Sequence, residues 1–214
     1  MIPDVVTKIG AGAFLYCKEM TSVVIPESVT EIGENAFGFC KGLTSVAVPD
    51  SVTKIGKDAF SYAGLTSVVI PDSVTEIGIR AFMWCKNLTS VVIPGSVKTI
   101  DFMTFHGCKK LASVEIRCGV TEIGEGAFLY CPKLKSVVIP ESVTKIGEEA
   151  FHECERLTSL VIPESVTEIG DEAFAGCKRL KSVVLPNGVK LGRKAFNGCP
   201  CEKTVRCGRH RPKS

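Results

Sequence analysis

The stretch "LTSVVIPDSVTEIG", residues 65–78, recurs along the chain with small changes. Residues 20–33 read "MTSVVIPESVTEIG", and residues 157–170 read "LTSLVIPESVTEIG". Catalysis needs one constellation of different residues, whereas a repeated phrase indicates that one structural unit is built many times. The repetition therefore predicts a repeat architecture and says little about chemistry.

A phenylalanine follows each copy at a nearly constant spacing. Successive phenylalanines are 23 residues apart, except for two steps of 22 residues. One short step falls where "FCKGL" becomes "YAGL", and the other where "VTEIG" becomes "VKLG". A fixed period of this length is typical of a leucine-rich-repeat solenoid. The nine positions are Phe14, Phe37, Phe60, Phe82, Phe105, Phe128, Phe151, Phe174 and Phe196.

Each copy can be interpreted as one coil of such a solenoid. In "LTSVAVP", residues 43–49, alternation predicts a short strand with Val46 and Val48 pointing inward. Pro49 closes this strand because proline cannot donate the next ladder hydrogen bond. The following "SVTKIG" predicts a second extended segment that ends in a glycine bend, and "KDAFSY" predicts a short helical turn. One coil cannot bury its own apolar face, but a stack of coils can.

The pattern L-x-S-V-x-I-P-x-S-V-T-x-I-G-x-x-A-F-x-x-C resembles the BspA-type (Treponema-type) leucine-rich repeat. It lacks the asparagine ladder of ordinary leucine-rich repeats. The resemblance implies a right-handed leucine-rich-repeat coil with a parallel β-sheet, about nine repeats of 23 residues, mainly β with short helical turns. It also implies a binding module or an adhesin of the kind found in bacterial surface proteins and in protists.

The repeat pattern predicts one domain over residues 1–208, followed by a basic tail at 209–214. The N-terminal repeat is incomplete, and residues 199–208 are expected to form a C-terminal cap because Glu202 replaces the inward leucine. The first coil has no polar cap, so an open N-terminal end and self-association through it are expected. The first residues lack the features of a signal peptide. The compartment stays open, since the resemblance allows the cell surface or the cell interior.

Composition and motifs argue against several classes of function. The formal net charge of +3 does not indicate nucleic-acid binding, and no apolar run is long enough for a membrane span. No nucleophile, phosphate-loop or zinc-protease motif appears, so neither an enzyme nor a cofactor is predicted. No metal site is predicted, because His106 and His152 lie two coils apart, too far to share an ion.

Eight cysteines fall in one column, which predicts a small buried residue at a tight corner rather than a disulfide framework. Ala63 takes the same place in the third coil, as packing would allow. Outside the column, a disulfide between Cys201 and Cys207 stays open as an alternative.

The outward positions of the predicted sheet keep valine, where a solvated strand normally carries polar residues. An exposed apolar ridge on a soluble protein indicates a binding surface. The alternative is that small β-branched residues only stabilise the strands. The candidate partner-binding residues of this face are Val69, Val92, Val138 and Val161, with Glu115 interrupting the ridge.

A second set of candidates comes from an aromatic column and from the least regular coil. Aromatic residues are enriched in interface cores, although they could also cover a coil corner as ordinary packing. The irregular coil carries Asp101 in place of the bend glycine and Arg117 in place of proline. Repeat decay is the alternative explanation for it. The candidates here are Trp84, Phe102, His106 and Arg117.

These features predict a non-catalytic protein-interaction module that binds another protein through the sheet face or the aromatic-rich N-terminal half. A structural subunit embedded in a larger assembly is one alternative. Cell-surface, adhesin-like ligand binding is another, and it follows from the family resemblance alone.

Overall fold

The computed structural model describes residues 2–204, which form about eight stacked coils of about 23 residues. This is the predicted leucine-rich-repeat solenoid with parallel strands. The predicted tail at 209–214, residues 205–208 of the predicted cap and Cys207 lie outside the described residues.

Sixteen short strands form two sides of the described coils. In chain order they are β1 (Lys8–Ile9), β2 (Glu31–Ile32), β3 (Ser45–Ala47), β4 (Lys54–Ile55), β5 (Ser67–Val69), β6 (Glu76–Ile77), β7 (Ser90–Ile93), β8 (Thr99–Ile100), β9 (Ser113–Ile116), β10 (Glu122–Ile123), β11 (Ser136–Val138), β12 (Lys145–Ile146), β13 (Ser159–Val161), β14 (Glu168–Ile169), β15 (Ser182–Val184) and β16 (Lys190–Leu191). The odd-numbered strands from β3 to β15 form the sheet face, and the two-residue strands form the second side.

All pairings are parallel and join equivalent residues of neighbouring coils. On the sheet face, Ser136 pairs with Ser113 and Val138 pairs with Glu115. The sheet face consists of the sheets β3-β5, β7-β9-β11 and β13-β15. The second side consists of β1-β2-β4-β6 and β8-β10-β12-β14-β16. This register places the same sequence position of each coil in one column.

The third side of each coil is a run of hydrogen-bonded turns, with almost no helix. In one turn, Ala36 N–H donates within the coil to Gly33 O at 3.2 Å, whereas Phe37 N–H donates to Ala59 O of the next coil at 2.7 Å. Because about half of the N–H groups bond between coils, the turn does not close into a helix. A three-residue helix occurs at 202–204.

The core is built from the predicted columns. The phenylalanine rings of neighbouring coils stack face to face, for example Phe37 on Phe60 at 5.2 Å between centroids. The cysteine thiols lie beside them, and Cys131 Sγ donates to the carbonyl of Phe105 at 3.3 Å. From Cys40 to Cys199 the cysteines of the column are buried, as predicted, whereas Cys17 of the first coil is exposed.

The strand ladders between the coils are interrupted after the fourth coil, although Thr89 N–H still donates to Thr66 O at 3.1 Å. Neither β5 and β7 nor β6 and β8 share a sheet, so both strand ladders stop between residues 65–84 and 88–107. We call this boundary the seam. In regular coils the bend glycine bonds to the preceding coil, as Gly124 N–H does to Ile100 O at 2.8 Å. Among the described residues, Asp101 makes no such bond to Ile77.

The side chain of Asp101 explains part of the seam. A Cβ on the equivalent Gly78 would lie 2.6 Å from Lys57 N, closer than real Cβ contacts. The bend of the fifth coil, which carries Asp101, must therefore stand further from its neighbour. The turn side still crosses the seam, since Phe82 N–H donates to Thr104 O at 3.0 Å and Trp84 N–H to His106 O at 2.7 Å.

Candidate interaction surfaces

The predicted valine ridge is present as a row of outward side chains on the sheet face. Val69, Val138 and Val161 are 70%, 72% and 67% exposed. Val24 and Val184 extend the row towards the two ends and are also exposed. Because the strands alternate, Val69 and Val138 each follow a buried residue of the core, Val68 and Val137. The ridge is therefore held in place by the same alternation that builds the core.

An ionic cluster interrupts the ridge. Arg117 Nη1 lies 2.9 Å from Asp72 Oδ1, and Arg117 Nε lies 3.4 Å from Glu115 Oε1. Asp72 belongs to the fourth coil and Arg117 to the sixth, so the guanidinium group reaches across the coil between them. Gly95 of that coil lets the backbone of the sixth coil approach closely, since a Cβ there would collide with the carbonyl of Cys118. Val92 lies beside Glu115 in the sheet register and is only 36% exposed.

The predicted aromatic column is a ladder of rings along the turn side. Tyr16, Phe39 and Tyr62 stack at 4.8 and 4.5 Å between centroids, and Trp84 follows at 6.3 Å. Each of these residues has a positive φ near 60°. Non-glycine residues rarely adopt this conformation, so the stacking and the turn hydrogen bonds must support it. We call this row, with His106 and Tyr130 beyond it, the aromatic ladder.

The ladder changes at Trp84 because the next coil has glycine in its place. A Cβ on Gly107 would lie 2.6 Å from Trp84 Cδ2, so the indole covers the backbone of that turn. The ring of His106 meets the indole at its edge, 5.2 Å between centroids. Lys86 Nζ and Lys109 Nζ lie 5.3 and 5.5 Å from the ring centre of Trp84, within cation–π distance.

The candidates of the irregular coil fall into two groups and one separate residue. Trp84 and His106 lie together in the aromatic ladder, and Glu115 and Arg117 lie together on the sheet face. Phe102 begins the turn that His106 ends, and its N–H donates to Asp101 Oδ1 at 2.6 Å. The structure therefore does not gather these candidates into a single site.

His106 is held in an environment that favours its neutral form. Burial lowers the pKa of its imidazole. Its Nδ1 atom is buried and has no hydrogen-bond partner among the described residues. The imidazole is therefore an apolar spacer between Trp84 and Tyr130 rather than a charge.

Burial favours the protonated thiol at three positions of the cysteine column. Burial raises the pKa of Cys85 and of Cys131 to about 12, and that of Cys40 to about 11. The thiolate is the reactive form of cysteine. These positions are packing elements of the corner.

An apolar cavity of about 670 Å³ lies in the first coil. Its lining residues include Ile2, Val6, Phe14, Met20 and Val23. The cavity lies where the sequence predicts an open end. Self-association through this end stays a prediction.

Sequence reasoning missed Asp72, Lys86 and Lys109 as members of these surfaces. The signal for the lysines was their position in the basic row just before each sheet strand. Asp72 is 45 residues from Arg117, two coils away. Comparing equivalent positions of adjacent coils could not reveal this pair.

Three side chains elsewhere could hold a metal ion. One ligand atom from each of Glu149, His152 and Glu172 lies within 4.8 Å of the others. They lie on the turn side of the seventh and eighth coils, apart from the valine ridge.

Comparison with known proteins gives consistent results. The sequence matches the family model described as BspA type leucine rich repeat region, with 6 copies, over residues 7–131 and 75–203. No curated protein matches the chain. Within residues 2–204, no helix is long and apolar enough to span a membrane.

Three crystal structures are similar to this chain. A leucine rich cell surface protein from Faecalibacterium prausnitzii A2-165 is 34% identical, with a TM-score of 0.59, over 91% of this chain and 61% of that one. The T. pallidum leucine rich repeat protein is 31% identical, with a TM-score of 0.57, over 67% and 82%. A leucine-rich repeat protein from Bacteroides ovatus ATCC 8483 is 26% identical, with a TM-score of 0.51, over 92% and 75%.

Proposed function

We propose that this chain is a non-catalytic protein-binding module. It belongs to the BspA-type leucine-rich repeat family, whose repeats generally serve as an interaction or surface module. Its partner is a protein that lies along the valine ridge. The observation that carries this proposal is the exposure of Val69, Val138 and Val161 on one face. Covering this apolar surface with a partner removes it from water, which lowers the free energy of the complex.

Charges beside the ridge support a specific orientation of the partner. Lysines border the start of the face strands, as at Lys41 and Lys133, and acidic residues follow their ends, as at Asp50 and Glu141. Two rims of opposite sign favour a partner with the complementary arrangement and raise its association rate. Arg117 and Asp72 neutralise each other at the centre, which leaves the rims as the charged borders.

The aromatic ladder is the second contact surface of the proposal. Aromatic side chains supply large contact areas at a low cost in side-chain entropy. Tyr16 and Tyr130 are 56% and 45% exposed, and Trp84 lies between lysines. A partner that bound here instead of the ridge would contact the exposed rings of Tyr16 and Tyr130 and the half-buried indole of Trp84.

The test begins with a photo-activated cross-linking residue at Val138, which captures the partner in cells that make the protein. Affinity is then measured with the purified partner. We expect Val69→Lys with Val138→Lys to weaken binding by about 30-fold or more, because two hot-spot contacts become charged. The circular dichroism spectrum should not change, since both side chains point away from the core.

Glu125→Lys is the matched control, because it also changes the net charge by two and lies at an exposed turn position away from the sheet face. Equal binding by the valine double variant and the wild type would refute the sheet-face proposal. If Trp84→Ala then abolished binding, the aromatic ladder would be the contact surface.

Two alternatives each rest on one observation. The F. prausnitzii relative is described as a cell surface protein, which favours adhesin-like ligand binding. The apolar cavity of the first coil favours a subunit embedded in a larger assembly. Light scattering separates the second alternative, since an assembly subunit would form a reductant-insensitive dimer or larger species.

A further inference from the structure

The candidate metal cluster is built by the repeat itself. Glu149 and Glu172 occupy the same turn position in adjacent coils, and both have a φ of 52°. His152 follows in the turn of Glu149, and its N–H donates to the Glu149 carbonyl at 3.0 Å. The three side chains therefore meet because the coils stack in register.

The column that contains the two glutamates elsewhere avoids stacking like charges. Arg80 lies on Asp58, with Nη2 2.7 Å from Oδ2, and Lys194 lies 3.6 Å from Glu172 Oε1. Glu149 on Glu172 is the exception, and like charges on neighbouring strands destabilise a stack. A cation between the two carboxylates would reverse that effect.

The imidazole of His152 points to the same cation. Its Nδ1 atom is buried and has no hydrogen-bond partner within residues 2–204. Nδ1 lies 3.7 Å from Glu172 Oε2, longer than a hydrogen bond but suitable for two ligands of one ion. Metal–ligand bonds of about 2.1 Å put ligand atoms up to about 4.2 Å apart, and the 3.7 Å between His152 Nδ1 and Glu172 Oε2 falls within that range.

We propose that Glu149, His152 and Glu172 bind one divalent transition-metal ion that joins the seventh and eighth coils. One imidazole nitrogen with two carboxylate oxygens is a donor set that suits Zn²⁺. Water completes the coordination, since all three residues are partly exposed. The site lies apart from the valine ridge and adds a ligand to a chain for which the sequence predicted none.

The chain contains its own control for this site. His106 holds the equivalent position two coils earlier, and its Nδ1 is likewise buried without a partner. There the two glutamate positions are taken by Met103 and Gly126. His106 thus has the imidazole of the site without its carboxylates.

The test is calorimetric titration of the reduced full chain with Zn²⁺. Thiols also bind zinc, so the background carries Cys17→Ser and Cys118→Ser at the two exposed thiols, with Cys207→Ser outside the described residues. We expect one Zn²⁺ per chain and a rise in melting temperature. His152→Gln and Glu172→Gln should each lower the affinity at least 10-fold, whereas His106→Gln should leave it unchanged.

Two results would overturn the proposal. One is the absence of Zn²⁺ binding by the background protein at millimolar metal. The other is binding that survives both His152→Gln and Glu172→Gln, or that falls equally in His106→Gln. Circular dichroism of each variant confirms that the coils are folded, so a loss of affinity is read as a loss of ligands.

Discussion

His106 is the single residue whose surroundings have the clearest consequence for solution behaviour. It lies between the rings of Trp84 and Tyr130, 5.2 and 5.8 Å away between centroids. Burial lowers the pKa of this imidazole, so the folded protein holds it neutral. In the unfolded chain the same group titrates near its ordinary pKa of about 6.5.

We therefore expect acid to destabilise the protein through this residue. As the pH falls through about 6.5, the unfolded chain takes up a proton that the folded protein accepts only at lower pH. The stabilisation present above this pH is thus lost on acidification. Urea denaturation between pH 7.5 and pH 5 should show a smaller loss of unfolding free energy for His106→Gln than for the wild type. Parallel curves for the two proteins would contradict the prediction.

At the scale of the element, the bend glycine decides how closely two coils approach. A Cβ on Gly56 would lie 2.8 Å from the backbone atoms Glu34 N and Gly33 C. A Cβ on Gly10, at the same position of the first coil, would meet nothing within 4 Å. The two glycines thus share a sequence position and differ only in what lies against them.

Gly56→Ala should lower the free energy of unfolding by about 1–3 kcal/mol, the usual cost of overpacking. Gly10→Ala is the matched control and should change it by less than about 0.5 kcal/mol. Chemical denaturation monitored by circular dichroism measures both. Equal effects of the two substitutions would show that close packing of the coils is not the reason for the glycine.

At the scale of the whole molecule, the stack behaves as a chain of interfaces, each contacting only its neighbours. The seam is the interface at which both strand ladders stop. The turn side and the stacked rings of Phe82 and Phe105, 5.3 Å apart, still join the coils there. Arg117 also reaches across it to Asp72.

Amide hydrogen exchange should therefore be fastest at the seam. We expect the amide of Asp101 to exchange at least 10-fold faster than those of Gly124 and Gly147, which bond to the preceding coil at 2.8 and 2.7 Å. Mass spectrometry of peptides from 96–101 and 119–124 makes the comparison. Equal protection of the two peptides would contradict the weak interface.

Most of the fold follows from the period, because one register fixes every column at once. The buried phenylalanines, the buried cysteines and the outward valines were all predictable in this way. The period also predicts that Glu149, His152 and Glu172 lie close together. Only pairs of histidines were considered as metal ligands, so this group was missed. Contacts that depend on side-chain reach were not predictable. Arg117 skips a coil to meet Asp72, and Trp84 covers Gly107 because that turn has no side chain to resist it.

The seam has a mechanical consequence. A tensile load along the stack is carried in series, so every interface between coils bears the same force. The weakest interface therefore separates first. Between residues 65–84 and 88–107 the turn side keeps its continuous row of hydrogen bonds, whereas the sheet face is joined by Thr89 N–H to Thr66 O at 3.1 Å and by the Arg117–Asp72 pair. Rupture would therefore be a rotation about the turn side rather than a clean separation. Two stiff rods would then remain, joined by a pivot at Trp84 and His106. A partner clamped along the valines on both sides of that pivot would act as a splint and raise the force at which the rod first yields.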